Sequence, residues 1–394
     1  MNIAVVDLSY FKVRSAQPAR GERLLELCRR WPADGSRVTV VTTFSCVKQL
    51  QDELEGCQVS FLAAPGADWQ VSRRFQAVLN YLHRMRLPFL VCLPQDTAVI
   101  YTLTGLLPDV WFAFIQRLRC SSLKLVAHVD NLVLPPWRRP EWGNPLNFII
   151  YSMAKCAFFL CVQLIKKADL IFTVSDAVAK GLSACGIPAD RIRISGNGIS
   201  PVAFALKGGE KEYDAVFMGR IEVAKGIIDL IKAWALLCHG NPRLRLAIIG
   251  SAVKPMQKKL NKLITRFHIE GNVLFLGCIQ GSEKFNLLAK SRIFISPSYD
   301  ESFGQSVMEA VACGLPVVAY DLDIYSKLYP EGLLHTVSPA YTKALAEEIA
   351  FVLSNQSFCD EAAGRGRDSV RVCEWGAIMS RELEEIGALE KPKV

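Results

Sequence analysis

The chain alternates short, uniformly apolar runs with longer stretches whose apolar residues recur every three or four positions. That is the pattern of buried strands, each followed by a one-sided helix. Ile3–Asp7, Arg37–Thr42, Val59–Ala63, Phe89–Leu93, Lys124–His128 and Leu170–Val174 are predicted strands. Gly21–Trp31 reads as a basic amphipathic helix. Trp69–Arg86 reads as another, with Val71, Phe75, Val78, Leu79 and Leu82 on one face and Arg73, Asn80 and Arg84 on the other. Residues 200–213 hold a proline, paired glycines and charges, and read as a linker. The alternation then restarts, with strands expected at Ala215–Met218, Leu244–Ile249, Val273–Leu276, Ile293–Ser296 and Pro316–Ala319. Helices are expected between them at Ile227–Leu237, Lys258–Phe267, Glu283–Lys290 and Gln305–Cys313. Such alternation implies parallel pairing with right-handed crossovers. The expected class is therefore α/β, with one Rossmann-like domain over 1–199 and a second over 214–370, facing each other across a ligand cleft.

The apolar run Phe148–Val162 invites a membrane reading, but it is short for a span and carries Lys155. Ser152, Lys155, Gln163 and Lys166 share one sector at helical spacing, so a mostly buried helix with a thin wet face is expected. The thirteen cysteines are scattered without a close pair, which points to reduced thiols, a cytoplasmic setting and no zinc site. The first residues lack the basic stretch and long apolar core of a secretory leader.

Charge divides unevenly. Residues 1–199 hold 23 Lys and Arg against 15 Asp and Glu, whereas 200–394 hold 23 against 23, so the whole net charge of +8 falls in the first half. A basic surface there suits phosphate-bearing substrates or an anionic membrane. Without interleaved aromatics or a recognised motif, no nucleic acid is expected as partner.

Two segments carry chemistry. Ser296 to Val318 reads as a strand end, a loop with Asp300 and Glu301, and a helix opening near Gly304 with Glu309 inside it. Unpaired N–H groups at a helix start receive phosphate, and glycine permits close approach. Carboxylates on either side suit ligand hydroxyls. In Met218 to Leu230, Arg220 and Lys225 lie on a strand-to-helix loop, where two cations hold a diphosphate and neutralise the charge that develops as it leaves.

These segments resemble the retaining, group 1 family of glycosyltransferases with the GT-B fold. The family's Glu-seven residues-Glu motif corresponds to Glu301 and Glu309, followed by Ala310 and by Gly314-Leu315-Pro316-Val317-Val318. Its Gly-Arg-x₄-Lys-Gly segment corresponds to Gly219, Arg220, Lys225 and Gly226. Further likeness runs through Asp169 to Ser175, Gly196-Asn197-Gly198 and Val273 to Gly277. It covers most of 165–320 and little of the first 120 residues.

The resemblance implies a transferase moving a sugar from a nucleotide-sugar to an acceptor in glycan biosynthesis. Arg220 and Lys225 would bind the donor diphosphate with amides of Phe303, Gly304 and Gln305, and Gly219 and Asn197 would line the donor site. Glu301 would meet the transferred sugar, Glu309 the ribose, and the loop after Gly277 the base. His128 would lie near the anomeric centre, with Asp130 and Asn131 as acceptor contacts. Retention by same-face displacement needs no protein nucleophile, and with two cations present no metal or other cofactor is expected. The family also suggests that a helix near residue 380, within 371–394, crosses back to the first domain. The acceptor is expected to be a glycan, lipid-linked or phosphorylated, with the enzyme peripheral at the inner membrane surface through the Trp69–Arg86 helix. One departure is the first loop, Ser9 to Gly21, which lacks the family's paired glycines and offers Lys12, Arg14 and Arg20 instead. Lys12 and Arg14 are candidate acceptor contacts. That altered loop leaves a second reading open, a non-catalytic relative acting as a sugar-binding or scaffold protein.

Overall fold

A computed structural model describes residues 1–9, 19–65, 74–133, 135, 137, 145–206 and 209–389. The chain forms two units, one of Met1–Asn197 with Trp375–Val394, the other of Gly198–Glu374.

The first unit holds strands Asn2–Asp7 (β1), Arg37–Thr43 (β2), Val59–Ala64 (β3), Val99–Thr102 (β4), Lys124–Val129 (β5), Leu170–Thr173 (β6) and Ile192–Ile194 (β7). All pair in parallel, in the order β3-β2-β1-β4-β5-β6-β7. Val5, Tyr101, Val126 and Phe172 turn one face of this sheet toward Trp31 and toward Trp375, Ile378 and Met379 of the helix Trp375–Ala388. Trp31 Nε1 donates to Met379 O at 3.0 Å, so the last helix is built into this core.

In the second unit the strands are Tyr213–Met218 (β8), Leu246–Ile249 (β9), Val273–Gly277 (β10), Ser291–Ser296 (β11), Val317–Tyr320 (β12) and Leu334–Val337 (β13). Their order is β10-β9-β8-β11-β12-β13, again all parallel. The chain reverses its direction of travel across the sheet between β8 and β11. In parallel α/β sheets such a switch point opens a crevice beyond the strand ends, where ligands bind.

The structure departs from the sequence reading in several places, and adds the strands Ile192–Ile194 and Leu334–Val337 to those expected. Phe89–Leu93 is not a strand: Leu87–Leu90 makes one helical turn with Pro88 in its first positions, and Phe89 and Leu90 are exposed. The fourth strand is Val99–Thr102, too short and too polar at its end to stand out as an apolar run. The stretch read as a linker contains the helical turn Pro201–Ala205, capped by Ser200, and its end opens β8.

Within the predicted Trp69–Arg86 helix the described helical part is Arg74–Arg84, and its burial runs against the expected faces at three positions. Asn80 and Arg84 are buried while Leu82 is exposed, because the Arg84 guanidinium donates to Leu8 O just beyond β1. The last departure is the helix Pro145–Ile165, expected to be mostly buried. Only 22% of Phe148–Ile165 is buried, and this segment is long and apolar enough to cross a membrane by length and composition. Lys155, expected on a wet face, bends back so that Nζ donates to Val133 O at 2.8 Å.

Candidate active site

Both chemistry-bearing segments leave strands at the switch point of the second unit. The loop after β8 turns through Val223–Lys225 and enters the helix Ile227–Gly240 at Gly226, which has φ +66°. A Cβ at Gly226 would sit 1.8 Å from Pro297 O, so only glycine lets this loop lie against the one after β11. Tyr299 N donates to Ala224 O at 3.0 Å and ties the two loops together. Asp229 accepts from the hydroxyls of Tyr299 and Tyr320. Burial, and then the Asp229 carboxylate, push the Tyr299 phenol up to about 12.

This contact brings Lys225 and Glu301 together, Nζ to Oε1 at 2.6 Å, with side chains 18% and 10% exposed. Arg220 differs. Its side chain is 75% exposed and pairs with Glu222 at 3.1 Å, an arrangement that solvent makes weak and easily exchanged. Gly304 has φ +80° and caps the helix Gln305–Ala312, and the side chain of Phe303 is buried beside it. The opening of this helix leaves N–H groups without intrahelical partners, the feature that suits it to a phosphate.

Glu309 lies one turn inside, buried, where Lys284 Nζ reaches its Oε1 at 2.9 Å. Gln305 Nε2 donates to the same oxygen at 3.2 Å and to Gly198 O at 2.8 Å. Lys284 was not singled out from the sequence, although it shares a helix face with the buried Phe285 and Leu288. Buried ions of this kind depend on their partner, so Lys284→Met is expected to cost about 3 kcal/mol of stability. The same change should weaken nucleotide affinity by freeing the Glu309 carboxylate from its position. Denaturant unfolding and nucleotide titration of the variant check both effects.

The remaining candidates belong to the first unit. His128, next to last in β5, is fully buried, with Nδ1 at 3.3 Å from Asp130 Oδ1. Asp130 is half-buried and Asn131 exposed. Asn197 Oδ1 accepts from Arg23 Nη2 at 3.2 Å. Arg23, also missed from the sequence, donates to Gly196 O and pairs with Glu382 Oε1 at 2.5 Å, both side chains fully buried. It thereby fixes the Gly196-Asn197 turn. Lys12 and Arg14 lie outside the described residues. Among the described residues, no group of three or more His, Cys, Asp or Glu side chains is placed to hold a metal ion.

Comparison with known proteins places the chain among sugar-transferring relatives in sequence and fold. Residues 203–369 match the family described as glycosyl transferases group 1. The chain is 33% identical over 167 residues to sulfoquinovosyl transferase of Arabidopsis thaliana, covering 39% of this chain and 31% of that protein. It is 30% identical over 206 residues to D-inositol 3-phosphate glycosyltransferase of Pseudarthrobacter chlorophenolicus, covering 45% and 49%. These matches span less than half the length of either relative. In fold it is similar to the Anabaena protein HepE, solved in complex with UDP and glucose, with a TM-score of 0.73 over 98% of this chain and 99% of that one at 18% identity. Residues 203–369, which carry Lys225, Glu301 and Glu309, match the group 1 glycosyltransferases, and the two parallel α/β sheets are those of the GT-B fold.

Proposed function

We propose that the chain transfers a sugar from a nucleotide diphosphate donor to an acceptor, with retention at the anomeric carbon. The observation that carries this reading is the Lys225–Glu301 pair beside the Gly304-capped helix, at the switch point of the second sheet. In the donor complex the diphosphate takes the Lys225 ammonium, and Glu301 is released to accept hydroxyls of the sugar. Arg220 swings from Glu222 onto the same phosphates. Their two positive charges, with the helix N–H groups, stabilise the charge that grows on the diphosphate as the glycosidic bond breaks. A departing phosphate oxygen on the same face takes the acceptor proton, so no protein nucleophile is needed. Glu309, held by Lys284 and Gln305, lies at the ribose end.

HepE was solved with UDP, which supports a uridine donor for this chain. The acceptor in this reading is anionic, in keeping with the net positive first half and with a relative named for D-inositol 3-phosphate. Because cationic side chains supply the charge, turnover is proposed to need no metal.

A thermal-shift and hydrolysis panel of UDP-, GDP- and ADP-sugars, with and without EDTA, tests these points. A UDP-sugar is expected to raise the melting temperature and to be hydrolysed equally well in the presence of EDTA. Loss of hydrolysis in EDTA would overturn metal independence. No response to any donor would favour a non-catalytic binding role.

A further inference from the structure

The helix Pro145–Ile165 is about 31 Å long and mostly apolar, with Ser152, Lys155 and Gln163 as a narrow polar sector. Helices of that kind are normally enclosed, yet this one is covered along a single face. Phe158, Cys161, Val162 and Ile165 are buried, and the helix packs on Leu107–Arg119. On the opposite side Phe148, Ile149, Met153, Cys156, Phe159 and Leu160 are all exposed, Met153 by 61% and Phe159 by 62%. At helical spacing these six fall within roughly 140° of arc, and none is charged. Lys155, the one charged residue in the helix, is drawn away by Val133 O. Leu118 of the helix it packs on is exposed as well, as are Phe89 and Leu90 of the turn that packs on that same neighbour.

Contiguous exposed apolar surface of this size marks a docking site, and charge indicates the occupant. The helix runs directly into Lys166 and Lys167, on the rim of a cavity whose basic lining residues, with Arg117, Lys124, Arg191 and Arg193, outnumber its acidic Asp96, Asp169, Asp190 and Glu385. Residues 1–199 carry all the net positive charge. Two copies meeting on this stripe would bring two positive halves together, whereas an anionic surface attracts both the stripe's flank and the whole unit.

We infer that this helix lies along the surface of an anionic phospholipid bilayer. Its exposed stripe sits among headgroups and upper acyl chains, and Lys166 and Lys167 meet lipid phosphates. Its opposite face stays on the protein, so the helix rests in the interface without crossing it. This replaces the Trp69–Arg86 helix as the membrane element, since Asn80 and Arg84 of that helix are buried in the unit.

Vesicle flotation tests the inference and reads binding alone, so it stands or falls separately from donor turnover. The full chain is expected to float with phosphatidylcholine–phosphatidylglycerol vesicles at low salt, to float poorly with phosphatidylcholine alone, and to be released by alkaline extraction. Met153→Glu with Phe159→Glu should weaken vesicle binding about tenfold or more, as the loss of two inserted apolar side chains implies. The melting temperature should stay unchanged. Should that pair melt early, Ile149→Ser with Leu160→Ser makes the same test more mildly. Lys166→Gln with Lys167→Gln should abolish the preference for anionic vesicles. Flotation unaffected by the stripe variants would overturn the inference, as would resistance to alkaline extraction. So would a stripe-dependent dimer in sedimentation that fails to float.

Discussion

Lys225→Ala is expected to lower kcat/KM for the nucleotide-sugar by about a hundred- to a thousand-fold, the usual cost of removing one preorganised group from a developing negative charge. The magnitude follows from its placement. Lys225 is largely withdrawn from solvent and held at the loop junction by Gly226, so its charge acts through little water. Arg220→Ala should cost less, because Arg220 is 75% exposed and pairs with Glu222 at the surface. The Lys225 variant also leaves Glu301 without its cation. Comparing Lys225→Ala with Lys225→Ala/Glu301→Gln, by turnover and by melting temperature, separates lost catalysis from lost stability. The double variant should regain stability and remain slow. A Lys225→Ala enzyme with undiminished turnover would remove Lys225 from the phosphate site.

The largest effect on folding is expected at Arg23. Arg23→Met should destabilise the chain by about 3–5 kcal/mol, because it leaves the fully buried Glu382 carboxylate unpaired. It also removes the donor to Gly196 O and the link to Asn197. Burial would by itself lower the Arg23 pKa, but the Glu382 charge and hydrogen bond outweigh it and hold the guanidinium above its usual value. Pairing Arg23→Met with Glu382→Leu should recover much of the loss, since replacing both ions with apolar groups avoids the orphaned charge. Denaturant unfolding of the two single variants and the double variant measures the coupling directly.

The second half of the chain was legible, apart from Leu334–Val337, because its strands are continuous apolar runs. The predicted Ala215–Met218 and Ile293–Ser296 lie within β8 and β11, short by no more than two residues at one end. Lys225 and Glu301 were found through residue types and spacing before their loops were seen to meet. In the first half the same rules worked less well, for two physical reasons. A strand as short as Val99–Thr102 leaves little apolar signal, and the nearby Phe89–Leu93 leaves a stronger false one. Periodicity, moreover, says which residues share a helix face but not which face is packed. Arg84 turned inward because a backbone carbonyl beyond β1 needed a donor. The apolar side of Pro145–Ile165 faces outward because nothing among the described residues covers it. Lys284–Glu309 and Arg23–Glu382 were hidden for a related reason, since each joins elements whose meeting only the tertiary fold decides.

The return of the last helix to the first unit bears on the order in which the chain is completed during synthesis. A polypeptide leaves the ribosome from its N-terminus, and domains fold as their residues emerge. Arg23 appears early, yet Glu382, which neutralises it, follows 359 residues later. Until then the first sheet also lacks Trp375, Ile378 and Met379 from its core. Gly198–Glu374 is continuous and has every strand of its sheet before that point. The unit with the proposed donor site is therefore finished first, while the unit begun earlier waits, its Arg23 without the Glu382 carboxylate, for the helix Trp375–Ala388.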